Sequence, residues 1–97
     1  MQKFFSCKED EHPLSVLIGK CVFIRTVTFH LVGRVVSLRD NWAALEGASW
    51  VADSGRFMQA IQDGTLNEVE PVGDAYVNLD SVTDIFPWNH PLPDKQK

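Results

Sequence analysis

The run from residue 16 to residue 38, VLIGKCVFIRTVTFHLVGRVVSL, constrains most strongly what this chain can fold into. It has no proline, and its many valine, isoleucine, threonine and phenylalanine residues favour β-strands. Because the run is too long for one ordinary strand, the chain must turn back on itself within it. We place this turn around Val27-Thr28 or near Phe29-His30. In the second strand Gly33 indicates a tight bend or the close approach of another backbone.

Two further strands are predicted downstream. The polar residues at 39–41 indicate a turn, and residues 42–51 form the third strand. The stretch YVNLDSVTDIFP, residues 76–87, is interpreted as one last strand that ends at Pro87. The fold class that these features predict is mainly β, with the strong bending typical of a small barrel.

One short helix is predicted between the third and last strands, near residues 54–63. Phe57, Ala60 and Ile61 recur at helical spacing, which favours packing over a ligand-binding role. Asp53 or Ser54 would cap the start of the helix, and Gly64 would end it.

The length of 97 residues favours a single domain. We expect an N-terminal arm at 1–13, a β-barrel domain with its helical insert at 14–87, and a proline-rich tail at 88–97. Three prolines among residues 87–93 predict that the tail is extended or disordered.

Charge is distributed unevenly along the chain, whose net charge is -4. Residues 1–45 have six Lys and Arg against four Asp and Glu, and residues 46–97 have three against nine, so the halves carry +2 and -6. A bipolar surface of this kind can serve contact between subunits or leave one basic rim. A solvated acidic half without function is the alternative. The composition does not indicate the extensive basic face of a protein that binds mainly to phosphates.

No targeting or membrane-spanning segment is recognisable. The start, MQKFFSCKEDEHP, lacks a sufficiently long apolar core for a secretory signal, and no run approaches the roughly 20 apolar residues that cross a bilayer. We therefore expect a cytoplasmic protein with reduced thiols and no membrane partner.

The sequence gives no indication of an enzyme. No serine lies in a nucleophile elbow, no glycine-rich loop is present, and the histidines lack metal-ligand spacing, so no metal or cofactor is expected. Asp80 and Asp84 are the remaining candidates for acid chemistry. In a single strand they would share one face about 13 Å apart, which is too far for a shared proton.

Cations and aromatic residues alternate in the basic half. Arg34 and Arg39 could contact phosphates, and Trp42 could stack on a base, an arrangement that suits single-stranded RNA or DNA. In the alternative interpretation the aromatic residues form the core and the arginines lie on a solvated or subunit-pairing face.

The order of these features resembles the Sm/LSm small β-barrel over roughly residues 19–87. Gly33 in the second strand, Asp40 at the next turn and the apolar WAALEGA follow the order of the first Sm motif, with one extra residue between Gly33 and Asp40. The stretch VNLDSVTDIFP is similar in spacing to the last strand of the bacterial Sm-like RNA chaperone. Another small barrel, such as an SH3-like one, is the alternative.

The resemblance implies a homo-oligomeric ring of five to seven subunits, in which the last strand of one subunit joins the next. It places Asn78, Leu79, Asp80 and Val82 at the pore or the subunit interface. Leu79 and Asp80 occupy the places of the pore-facing Lys-His pair of the bacterial chaperone, and the Arg-Gly of the archaeal and eukaryotic form is also absent. An anionic pore would repel phosphate.

Two functions therefore remain open at this stage. One is a ring that binds single-stranded RNA or DNA through Arg34, Arg39, Asn41 and Trp42. The other is a structural, assembly or regulatory scaffold that acts through protein contacts. The run WVADSGRF and the tail PWNH resemble small proteins encoded by tailed phages and prophages, so a phage protein is a further candidate partner.

Overall fold

A computed structural model describes residues 14–97, so the predicted arm at 1–13 lies outside the described residues. A 3-10 turn at Ser15–Leu17 comes first. The regular elements that follow are β1 (Cys21–Thr26), β2 (His30–Arg39), β3 (Trp42–Asp53), α1 (Phe57–Asp63), β4 (Glu68–Asn78), a 3-10 turn at Leu79–Ser81 and β5 (Val82–Pro87). The strands form one antiparallel sheet of five, in the order β4-β3-β2-β1-β5.

The long β-branched run folds as a hairpin, as predicted. Residues 27–29 form its turn, where the Thr26 hydroxyl accepts hydrogen bonds from the backbone N–H groups of Thr28 and Phe29. Gly33 lies at a register shift between β2 and β3, and a Cβ there would be 3.2 Å from the Cα of Ala48. The prediction of a close backbone approach at Gly33 is therefore confirmed.

Side chains alternate between two apolar cores on opposite faces of the bent sheet. The first core includes Val22, Ile24 and Val35, and the 3-10 turn adds Leu17 to it. The second core has Phe23 at its centre and is covered by α1 and by the residues after β5. A single layer of strands thus buries apolar surface on both faces, which the inserted helix makes possible.

The interpretation of residues 76–87 as one strand is wrong. The chain completes β4 at Asn78, passes through the 3-10 turn and begins β5 at Val82. The backbone N–H of Asp80 donates to the Asn78 side chain at 2.9 Å, which stabilises this turn. Asp80 and Asp84 therefore lie on different elements and do not share one strand face.

Helix α1 is shorter than predicted, and its start is different. Its N-cap residue is Arg56, without a side-chain cap, so the prediction of a cap from Asp53 or Ser54 is wrong. The Asp53 carboxylate instead accepts the N–H of Gly55 at 2.8 Å in the turn before the helix. Gly64 ends the helix in the left-handed conformation, as predicted, with φ 75°.

The C-terminal segment, residues 88–97, is an irregular extended chain that crosses the sheet. Trp88 is buried, and its N–H donates to the carbonyl of Cys21 in β1 at 3.0 Å. Further along, the Ser49 hydroxyl of β3 donates to the carbonyl of Pro93 at 3.4 Å. Lys97 then exchanges two backbone hydrogen bonds with Val69 of β4. The segment therefore starts at one edge strand and reaches the other.

Candidate functional site

Two turns that are distant in sequence meet at one end of the sheet. The β2–β3 turn contributes Asp40 and Asn41, and the β4–β5 turn contributes Leu79–Ser81 after Asn78. The N–H of Leu79 donates to the carbonyl of Asn41 at 2.8 Å, and the Asn41 amide donates to the Asn78 side chain at 3.4 Å. We call these residues, 40–41 and 78–81, the turn cluster.

Backbone conformation shapes the first of these turns. Asp40 has a left-handed φ of 52°, a region that aspartate tolerates better than most residues with a Cβ. The turn joins the directly paired Arg39 and Trp42. Because cross-strand partners lie on one face, these two side chains project from the same side of the sheet beside the turn cluster.

A second exposed aromatic residue lies beside Trp42. Tyr76 pairs with Ala44, two residues along β3 from Trp42, so both aromatic side chains occupy the same face. Trp42 is 49% exposed and Tyr76 is 78% exposed. Together with Arg39 and Asp40 they line one shallow surface pocket. This arrangement leaves two flat rings and one guanidinium available to a ligand.

Sequence reasoning missed Tyr76 as a site residue. Its neighbour Val77 belongs to the first core, so strand alternation directs Tyr76 away from that core. The alternation of Tyr76 and Val77 is visible in the sequence. Interpreting residues 76–87 as one strand, however, concealed that Tyr76 belongs to β4, which ends at Asn78.

Arg34 lies apart from the other predicted site residues. It is five positions before Arg39 in β2, a separation of about 17 Å along a strand. Its guanidinium pairs with Glu46 at 3.0 Å, and this hydrogen bond raises the pKa of Arg34. The structure thus brings Arg39, Asn41 and Trp42 together but leaves Arg34 outside the group.

The residues that the resemblance placed at a pore or interface all lie in or beside the turn cluster. Leu79 and Val82 pack partly buried against the first core, whereas Asp80 is exposed. Asn78 is half-buried, and its side chain bonds both turns. Among the four, Asp80 is the side chain most available to an external group.

Asp84, the other candidate carboxylate, lies in an ion pair away from the turn cluster. Arg25 donates to its two oxygens from Nε at 2.7 Å and from a terminal nitrogen at 2.5 Å. These hydrogen bonds lower the pKa of Asp84. A carboxylate held ionised in this way is suited to fixing β5 against β1 and poorly suited to donating a proton.

Residues 14–97 contain no group of three or more side chains suited to holding a metal ion. Within the same range, no helix is long and apolar enough to cross a membrane.

The order of strands, the register shift at Gly33 and the meeting of the two turns define an Sm-like fold. The structure is similar to a heptameric archaeal Sm protein, with a TM-score of 0.51 and 25% identity over 73% of this chain and 88% of that one. It is also similar to the Sm protein of Pyrococcus abyssi in complex with a uridine heptamer, with a TM-score of 0.54 and 23% identity over 79% of this chain and 99% of that one.

The predicted fold class, a strongly bent Sm-like sheet with one short inserted helix, is therefore confirmed. No protein-family model matches the chain, and no curated protein matches it. Both of these structures are of archaeal proteins and give no support to a phage origin. A phage origin therefore stays a prediction from the sequence.

Proposed function

We propose that this chain is a non-enzymatic, ring-forming Sm-like module that binds single-stranded RNA. The observation that carries the proposal is the exposed pair Trp42 and Tyr76 beside Arg39 and the turn cluster. Its context is the Sm-like fold, which the chain has in common with a heptameric protein and with a protein bound to a uridine heptamer.

The chemistry of the pocket suits a nucleobase. Exposed aromatic rings stack on bases of any sequence, and each stacked base contributes about 1–3 kcal/mol. Arg39 adds a cation for a neighbouring phosphate or a second stacking plane. The amide groups of Asn41 and Asn78 add hydrogen-bond donors and acceptors at the same end of the sheet.

The carboxylates around the pocket limit the path that a bound RNA strand can take. Asp40 lines the pocket, and Asp80 is exposed in the adjoining turn. Because carboxylates repel phosphate, the RNA backbone would pass on the side of Arg39. Few of its phosphates would then contact the protein. Few contacts imply that affinity depends only weakly on salt concentration. Each neutralised phosphate of a single strand adds about -0.7 to the slope of the logarithm of the binding constant against the logarithm of salt concentration.

Fluorescence anisotropy of labelled oligo-U and oligo-A, as RNA and as DNA, tests this proposal. Trp42→Ala and Tyr76→Ala should each weaken binding roughly 5- to 150-fold, the loss expected for one stacked base. Arg39→Ala should weaken binding less and make the salt dependence shallower. Met58→Ala is the control, because Met58 is 56% exposed on α1 and lies outside the pocket.

Absence of binding to every oligonucleotide at tens of micromolar would overturn the RNA-binding proposal. The scaffold function through protein contacts would then be favoured, in agreement with the acidic net charge. A preference for the DNA form of each oligonucleotide would keep the site and change its ligand to single-stranded DNA.

A further inference from the structure

A second depression of the surface adjoins the pocket at Trp42. Its volume is about 330 Å³, and it lies across β2, β3 and β4. Tyr76 lines both depressions, so its ring is a wall that they share. Glu46 and Asp74 add carboxylates to the second depression, and Ser37 adds a hydroxyl group. We call this second depression the carboxylate groove.

The groove follows from the pairing of three strands around a small residue. Ala44 of β3 pairs with Ser37 of β2 on one side and with Tyr76 of β4 on the other. Because the Ala44 side chain is only a methyl group, the surface is low between these neighbours. Leu45 belongs to the first core, so strand alternation directs Ala44 and Glu46 to the opposite face of the sheet.

An irregularity in strand pairing brings the two carboxylates to one end of the groove. After the pair Leu45↔Ala75, β3 has one residue more than β4 before pairing resumes, so Asp74 lies opposite both Glu46 and Gly47. Bulges of this kind change the direction of side chains next to functional sites. Asp74 and Glu46 therefore project from neighbouring strands into one groove.

Both carboxylates have oxygen atoms available to a ligand. Arg34 donates to one oxygen of Glu46 at 3.0 Å. Among residues 14–97, no group donates to the other oxygen of Glu46 or to the exposed carboxylate of Asp74. An ionised carboxylate accepts hydrogen bonds and donates none. The groove therefore selects a ligand that presents N–H or O–H groups.

Guanine is the nucleobase whose donors suit a carboxylate best. Its N1–H and N2–H groups lie side by side and point in the same direction, so that one carboxylate accepts both. Uracil has a single N–H between two carbonyl oxygens, and these oxygens repel a carboxylate. The amino groups of adenine and cytosine lie beside a ring nitrogen that is itself an acceptor.

We infer that the carboxylate groove binds a guanine of the RNA strand, next to the base that stacks on Trp42. This inference rests on the RNA-binding function proposed above and gives that function a base preference. Asp74 and Glu46 accept the guanine N–H groups, and Tyr76 packs against the base. Because the base is neutral, the carboxylates do not repel it, and its phosphate stays on the side of Arg39.

Fluorescence anisotropy of labelled oligo-U, with its central nucleotide replaced, tests this inference. Guanosine at the centre should tighten binding roughly 5- to 150-fold relative to oligo-U, the discrimination expected of a bidentate contact to a base. Inosine keeps N1–H but lacks the N2 amino group. It should lose most of this gain, because one hydrogen bond to a charged group is removed.

Asp74→Asn should abolish the preference for guanosine, because an amide offers one acceptor where the carboxylate offers two. Glu70→Gln is the matched control. It removes the same charge from an exposed position of β4, where Glu70 pairs with Trp50 outside the groove, so the preference for guanosine should be unchanged. Any general gain in affinity from the lost negative charge should be similar in the two variants.

The outcomes separate this inference from the function on which it rests. Equal affinity for the guanosine-centred strand and oligo-U would overturn the guanine site and leave RNA binding at Trp42 in place. A preference for guanosine that persists in Asp74→Asn, or inosine that binds as tightly as guanosine, would also overturn it. Absence of binding to every strand would overturn the RNA-binding proposal and this inference together.

Discussion

Arg25 joins three elements through one side chain. It donates two hydrogen bonds to Asp84 of β5, and its guanidinium carbon lies 4.9 Å from the ring centre of Phe57 and 5.6 Å from that of Phe86. The hydrogen bond to Asp84 raises the pKa of Arg25 and lowers that of Asp84. The ion pair therefore holds β5 against β1 at a point where α1 also packs.

The stability of the fold should depend on the ionisation of Asp84. Since its folded-state pKa is depressed, the stabilisation is present above the unfolded value of about 3.9 and is lost as pH falls through the folded value. Asp84→Asn should therefore lower the free energy of unfolding at pH 7 and have a smaller effect at pH 2. Urea denaturation at both pH values measures this difference.

Glu46→Gln is the matched control for this pH effect. Glu46 and Arg34 form an exposed ion pair in which each side chain is nearly half exposed, so the change should be close to zero at either pH. An equal effect of Asp84→Asn at pH 2 and pH 7 would show that the loss comes from packing and not from charge.

At the scale of elements, the C-terminal segment is part of the second core. Trp88 is 2% exposed and stacks on Phe23, with ring centres 5.8 Å apart. The His90 ring donates to the carbonyl of Ile61 at 2.7 Å, near the end of α1. Helix and segment therefore support each other on the face of the sheet that they cover.

Trp88→Ala should lower the free energy of unfolding by about 3–5 kcal/mol, because it removes a large buried ring and leaves a cavity. Trp42→Ala removes the same side chain from the surface and should change stability by only about 0.5 kcal/mol. Urea denaturation of both variants checks the contrast. Similar losses would mean that the C-terminal segment contributes little to the second core.

The sequence was informative where local chemistry determines structure. Gly64 stops α1 because its left-handed conformation suits glycine, and Gly33 lies in a strand where another backbone approaches closely. The end of β4 was missed because the turn at Leu79–Ser81 depends in part on the carbonyl of Asn41, which accepts the N–H of Leu79 and which only the fold brings close. The start of α1 was missed because the Asp53 carboxylate is used in the preceding turn.

Prediction of the candidate site was partial for the same reason. Arg39, Asn41 and Trp42 are close in sequence, so their association follows from one turn. Their proximity to Asn78 and Tyr76 requires the pairing of β3 with β4, which no local pattern specifies. Arg34 was grouped with them because it is basic and nearby in sequence, but its position along β2 separates it.

At the scale of the whole molecule, the sheet has two different edges, β4 and β5, and neither is paired along its full length with described residues. Exposed edges invite association with further strands. In the ring that we propose, each subunit uses both edges, and the association ends when the circle closes.

The native mass should therefore be a fixed multiple of the 10.9 kDa chain, from five to seven copies. Size-exclusion chromatography with light scattering measures it directly, and the value should be constant over a wide range of concentration. A mass that rises continuously with concentration would indicate open filaments and would contradict ring closure.

The path of the C-terminal segment also determines when the domain can be completed during synthesis. Trp88 fills a core built around Phe23, and Lys97 pairs with a strand that precedes it by many residues. On the ribosome, the face around Phe23 consequently remains open after all five strands have emerged, until residues 88–97 leave the exit tunnel. Part of the apolar surface around Phe23 is thus exposed to solvent for that interval, until Trp88 and Leu92 cover it.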